Sequence, residues 1–130
     1  MKSHFIFYVS NQEKSTKFYE LVLNKKPSLY VPGMTEFKLT QESIFGLMPT
    51  QGIKKLLGDK LPDPEKAERI PRAELYLIVD NPEEYHERAL SAGAVELSDL
   101  QKRDWGDLAA YSLDIDGHVL VFAKNIGSGI

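Results

Sequence analysis

Apolar residues fall along this chain in short blocks whose spacing changes character at regular intervals. His4-Phe5-Ile6-Phe7-Tyr8-Val9 is aromatic and β-branched throughout, with both alternating sets largely apolar, which predicts a central strand covered on both faces. Ser10 or Asn11 then supplies a cap, and Phe18, Leu21 and Val22 recur at helical spacing over Gln12 to Leu23, with Asn24 as the stop. Three extended segments follow at 26–31, 35–40 and 43–48, punctuated by Pro32-Gly33 and Gln41-Glu42.

From Gly52 to Pro71 the pattern gives way to Lys, Asp, Glu, Gly and Pro, and Ile53, Leu56, Leu57 and Leu61 predict one short helix within a connecting segment. The first order of elements then returns. A strand is predicted at Glu74 to Val79, a helix at Pro82 to Ala92 ended by Gly93, and strands at 94–100, 107–113 and 118–124. An offset of 70 residues aligns Val9 with Val79, Asn11 with Asn81 and Glu13 with Glu83 in the same strand-to-helix turn. The expected architecture is therefore α+β: one domain over 1–130 made of two tandem βαβββ modules, 1–51 and 72–126, joined by 52–71. Asp80-Asn81-Pro82 reads as a helix cap, and Asp114 to Gly117 as a tight turn with no catalytic duty.

Composition narrows the function classes. A formal charge of −3 with scattered Lys and Arg gives no basic face for nucleic acid and no polybasic tract for a membrane surface. The longest apolar runs fall far short of the roughly 20 residues that span a bilayer, and Met1 to Ser10 does not resemble an export signal. The absence of cysteine removes disulfides, thiolate metal sites and cysteine nucleophiles. No phosphate loop, dinucleotide fingerprint, HExxH or GxSxG is present. The expectation is a cytoplasmic protein whose partner is a small molecule, with neither nucleic acid nor membrane.

Strand alternation puts His4, Ile6 and Tyr8 on one side of the first strand, and Glu74, Tyr76 and Ile78 on the equivalent side of its counterpart. Such a face suits an amphipathic ligand oriented by the Tyr8 and Tyr76 hydroxyls. Glu74 has two readings: buried, as a general base or ligand anchor, or exposed at the strand's start and paired with Arg72 or a lysine. In Arg103-Asp104-Trp105-Gly106-Asp107, the chain's single tryptophan can close a cavity and stack on a ligand, and Arg103 can meet an anionic group.

His4 to Asn11, with Ser15 and the Phe18-Tyr19 pair, then Glu74 to Asn81, then Asp114-Ile115-Asp116-Gly117-His118 before a final apolar strand, together resemble the vicinal-oxygen-chelate superfamily. Its members include glyoxalase I, extradiol dioxygenases and the bleomycin-resistance proteins. The resemblance implies curved sheets forming a half-open cup around a cavity, a homodimer, and a metal held by one residue on the first and last strand of each module. His4 and Glu74 fall on two of those positions, while the others fall near Gly46 or Leu47 and on Val121, which carry no donor. Arg103 to Asp107 is similar to the tryptophan-glycine turn of bleomycin-resistance-like members. The resemblance thus implies a metal-free protein that sequesters a ligand bound through Tyr8, Tyr76, Arg103 and Trp105. The alternative is a divergent glyoxalase-like lyase or isomerase, or a dioxygenase, using one divalent Zn, Ni, Fe or Mn on His4 and Glu74, with Glu74 taking a proton.

Overall fold

A computed structural model describes residues 1–127. The elements run β1 (Ser3–Val9), α1 (Gln12–Leu23), β2 (Leu29–Val31), β3 (Met34–Lys38), β4 (Ser43–Pro49), α2 (Thr50–Leu57), β5 (Glu74–Ile78), α3 (Pro82–Ser91), β6 (Val95–Lys102), β7 (Asp107–Leu113) and β8 (Val119–Asn125). They form two four-stranded open sheets of like topology, β1-β4-β3-β2 and β5-β8-β7-β6. In each, the first strand pairs in parallel with the last and the remaining pairs are antiparallel. The α+β class and the repeated βαβββ order are thus present. Among the described residues no helix is long and apolar enough to cross a membrane.

The chain divides into two compact units, one holding Met1–Glu20 with Asn24–Glu68, the other Leu21–Leu23 with the chain from Arg69 onward. In the first, Asn11 caps α1 by accepting from the Lys14 amide, and Asn24 ends it in the left-handed conformation. Ser15, Thr16, Phe18 and Tyr19 of α1 are buried in this unit, and Val22 and Leu23 of the same helix are buried but belong to the second, whereas Leu21, expected to be buried, is exposed. At the start of α1 the Gln12 side chain donates to the Val31 carbonyl (2.8 Å) and to Thr35 Oγ1 (3.0 Å) and accepts from the Gly33 amide (2.9 Å), which clamps the β2–β3 turn. Tyr19, Phe37 and Phe7 surround Phe45 as an aromatic core.

Two expectations need correction. Strand β1 is an edge strand, not a central one covered on both faces, and Phe5, Ile6 and Tyr8 are each more than a third exposed. Apolar content on both faces of a strand reports what could be buried, whereas the neighbours available are set by topology. The short helix expected inside 52–71 begins earlier, at Thr50, directly after β4, and buries Thr50 and Ile53. The segment beyond it is tied back by the Thr50 hydroxyl, which donates to Glu65, and by Lys54 Nζ, which donates to the carbonyls of Gly58 (3.0 Å) and Leu61 (2.6 Å).

In the second unit, strand alternation separates two faces. Leu75, Leu120, Phe122, Ala110 and Ser112 are buried on the helix side, where Tyr85 of α3 packs on Phe122 with ring centroids 5.0 Å apart. Buried His86 of α3 reaches Glu96 of β6 at 2.8 Å. Asn81 precedes α3 as expected but its side chain donates to Glu84 and makes no cap bond to the helix amides. The opposite face has a floor of Ala109, Val121 and Ala123, with Tyr76, Tyr111 and Val119 packed against it.

Candidate functional site on the second sheet

That opposite face is where most of the sequence candidates converge. Tyr76 of β5 donates its hydroxyl proton to Asp107 Oδ2 of β7 at 2.5 Å and accepts from Trp105 Nε1 at 2.9 Å. Asp107 is 7% exposed, and its other carboxylate oxygen accepts from Asn125 Nδ2 of β8 at 3.3 Å. The result is a chain of hydrogen bonds, Trp105 to Tyr76 to Asp107, lying beside a floor of small apolar side chains. Gly106, at φ +93°, makes the turn that brings Trp105 back over β5. The indole stays 46% exposed, so its ring is open to a ligand.

Arg103 is held by its own hairpin. Its guanidinium donates to the Ala109 carbonyl (Nη2 at 2.8 Å, Nε at 3.2 Å), to Ser98 Oγ (2.8 Å) and to the Asp99 carbonyl (3.1 Å), and it lies 5.2 Å from the Tyr111 ring centre. These bonds pin the β6–β7 hairpin. Glu74 is exposed at the first position of β5, so the buried setting that would make it a strong base is not met. Its charge nevertheless acts on Tyr111.

Burial raises the Tyr76 hydroxyl above the ordinary tyrosine value of 10.0, and the hydrogen bond to Asp107 raises it further, against a smaller opposing effect of Trp105. Burial also raises Tyr111, with the Glu74 carboxylate adding to the effect and Arg103 opposing it. A phenol with a raised folded-state pKa holds its proton more tightly in the native state. Its contribution to stability is complete below the unfolded value near pH 10 and is lost as pH climbs through the folded value. Urea midpoints measured from about pH 9 to pH 11 are therefore expected to fall, and Tyr76→Phe is expected to flatten that slope. An unchanged slope in the variant would contradict the Tyr76–Asp107 arrangement.

His4 and Tyr8 belong to the first sheet, where β1 and β4 pair His4 with Ile44, Ile6 with Gly46 and Tyr8 with Met48. His4 Nδ1 lies 3.6 Å from Glu36 Oε2 of β3. Gly46 leaves room into which Ile6 and Met34 crowd: a β-carbon there would lie 3.1 Å from Ile6 Cγ1.

The register tests the metal set implied by the resemblance. On the side of β4 that His4 shares stand Ile44, Gly46 and Met48, and on the side of β8 that Glu74 shares stand Val119, Val121 and Ala123. At these positions neither last strand offers a nitrogen or oxygen donor, and Asn125 at the end of β8 is bonded to Asp107 and the Gly106 carbonyl, so the residues do not fit a four-ligand divalent site. Among the described residues no group of three or more His, Asp or Glu is placed to hold a metal.

Asp107 and Tyr111 were not among the sequence candidates, nor was Glu36. The period-two run Asp107, Ala109, Tyr111 was the available signal, masked because Asp107 also reads as the end of the tryptophan-glycine turn. Two depressions lie elsewhere. One of about 410 Å³ is lined by Leu21, Glu84, Glu87, Arg88, Ser91 and Ala92 in the second unit, and one of about 320 Å³ by Gln12, Glu13, Tyr30, Val31 and Pro32 in the first. Neither includes a candidate residue.

The profile of the Glyoxalase/Bleomycin resistance protein/Dioxygenase superfamily matches residues 3–122. Among solved structures, a glyoxalase-related enzyme from Fulvimarina pelagi superposes with a TM-score of 0.81 at 19% identity, covering 96% of this chain and 88% of that one. A family enzyme from Burkholderia phytofirmans PsJN gives 0.77 at 17% identity, with 95% and 97% covered. Protein ATC0852 from Agrobacterium tumefaciens gives 0.73 at 22% identity, with 98% of each chain covered. No curated protein matches. At these identities the structures speak for the fold, and the profile, spanning nearly the whole sequence, speaks for descent: the chain belongs to the glyoxalase/bleomycin resistance protein/dioxygenase superfamily.

Proposed function

We propose that this protein binds a small organic ligand on the second sheet and holds it without a metal and without transforming it, as bleomycin-resistance proteins do. The observation that carries the reading is the Trp105–Tyr76–Asp107 chain beside an apolar floor, with one open aromatic face. A flat apolar floor takes up the body of a ligand, and a few fixed polar atoms set its orientation. Last strands without a donor at the positions facing His4 and Glu74 support the metal-free form. A second copy of the chain is the expected macromolecular partner.

Two measurements test this. Elemental mass spectrometry on protein purified without chelator or histidine tag is expected to find no stoichiometric transition metal. About one metal per chain, lost in Glu74→Gln, would replace the proposal with a metal-dependent enzyme. Trp105, the single tryptophan, reports on the site directly. Its emission is expected to change when the ligand is met in a panel of small non-fluorescent aromatic compounds. Tyr76→Phe should then weaken binding by about three- to tenfold, the worth of one hydrogen bond. Equal affinity in the variant would remove Tyr76 from the site.

A further inference from the structure

We infer that the ligand held by the second sheet is an aromatic or aryl-alkyl amine in its cationic form, recognised by the exposed Glu74 carboxylate and the aromatic rings of that face. The inference rests on the binding function proposed above and names its ligand class.

Several of the polar hydrogens on this face already have acceptors within it. The Trp105 indole donates to Tyr76, and the Tyr76 hydroxyl donates to Asp107. The Asn125 amide donates to Asp107 and to the Gly106 carbonyl. Arg103 donates from Nε and Nη2 to the Ala109 carbonyl and from Nη2 to Ser98 Oγ and the Asp99 carbonyl. Beside the Tyr111 hydroxyl, the face offers acceptor capacity: the exposed Glu74 carboxylate and the Tyr76 oxygen, which backs onto a carboxylate.

Charge and ring placement point the same way. Two carboxylates, Glu74 and Asp107, stand on this face with one guanidinium. Lys102 and Lys124 both pair with Leu108, one residue out of step with Asp107 and Ala109, and so belong to the other face. The rings of Tyr76, Tyr111 and Trp105 present π-systems, which attract cations. A carboxylate ligand would meet repulsion from Glu74 and find two of the three guanidinium nitrogens already bonded. An ammonium would meet an anion and aromatic faces.

The test uses the intact chain and three probes of similar shape, phenethylammonium, phenethyl alcohol and hydrocinnamate, titrated against Trp105 emission at constant ionic strength. Phenethylammonium is expected to bind about tenfold more tightly than hydrocinnamate. Glu74→Gln, an exposed substitution the fold tolerates, should narrow that ratio and leave the alcohol unchanged. Hydrocinnamate binding as tightly as the amine, or more so, would overturn the inference and leave the binding function standing. No change in emission with any of the three would overturn both.

Discussion

Replacing Asp114 by alanine is expected to destabilise the fold by about 3–5 kcal/mol, the range for removing one partner of a buried charged network. Asp114 is 1% exposed. Its Oδ1 accepts from the amides of Asp116 (2.9 Å) and His118 (2.8 Å), and its Oδ2 lies 3.1 Å from His118 Nδ1. Its own amide donates to the His118 carbonyl at 2.8 Å, which closes the turn between β7 and β8. Alanine would remove the acceptor that two amides share and the carboxylate beside an imidazole at once. The turn has little freedom to adapt, because Gly117 sits at φ +91° and a β-carbon there would lie 3.0 Å from the Arg69 carbonyl oxygen. Arg69 is itself held by its guanidinium donating to the Ile115 carbonyl at 2.8 Å. Asp114→Asn keeps an oxygen for the amides and is expected to lose only about 1–2 kcal/mol. Urea unfolding of both variants checks the pair of values. An alanine variant with the wild-type midpoint would show that the network contributes nothing net.

That turn marks the limit of what the sequence discloses. Asp and Gly between two apolar strands identified the reversal without any knowledge of tertiary structure, because turn chemistry is local. The same holds for Asn11 and Asn24 at the ends of α1 and for the repetition of βαβββ. What Asp114 contributes was hidden, since burial of a carboxylate and its three partners depends on how β7 and β8 close. The candidate site divides along the same line. Tyr76 and Trp105 could be named because an aromatic on an inward strand position and a lone tryptophan before a strand are visible in one dimension. Asp107, which anchors Tyr76 directly and Trp105 only through it, lies 31 residues from Tyr76 and enters the site only through pairing of β5 with β8 and of β8 with β7. Arg103 illustrates the converse: its charge was legible, but its commitment to carbonyl groups of its own hairpin was not.

Phe5 and Phe45 show the same division between local pattern and topology in a single pair. They face each other as register partners across β1 and β4, so on a parallel pair their rings leave the sheet on the same side. Sequence alone gives no ground for ranking them. Yet Phe45 has no exposed surface, with Tyr19 4.8 Å and Phe7 5.2 Å away by ring centroids, both edge-on, while Phe5 is 51% exposed. The difference arises because β4 is flanked by strands on both sides and α1 lays Tyr19 over it, whereas β1 has an open edge. Phe45→Ala is expected to cost about 3–5 kcal/mol, since the removed ring leaves a cavity its aromatic neighbours cannot fill without leaving their rotamers. Against a total of about 5–15 kcal/mol for a domain of this kind, that is enough to depopulate the folded state on modest heating. Phe5→Ala should cost less than about 1 kcal/mol, as for other surface substitutions. Parallel urea titrations of the two variants give the ratio directly. Equal losses would mean that Phe5 is buried in solution, so that the open edge of β1 is covered and its apolar pattern had announced a neighbour after all.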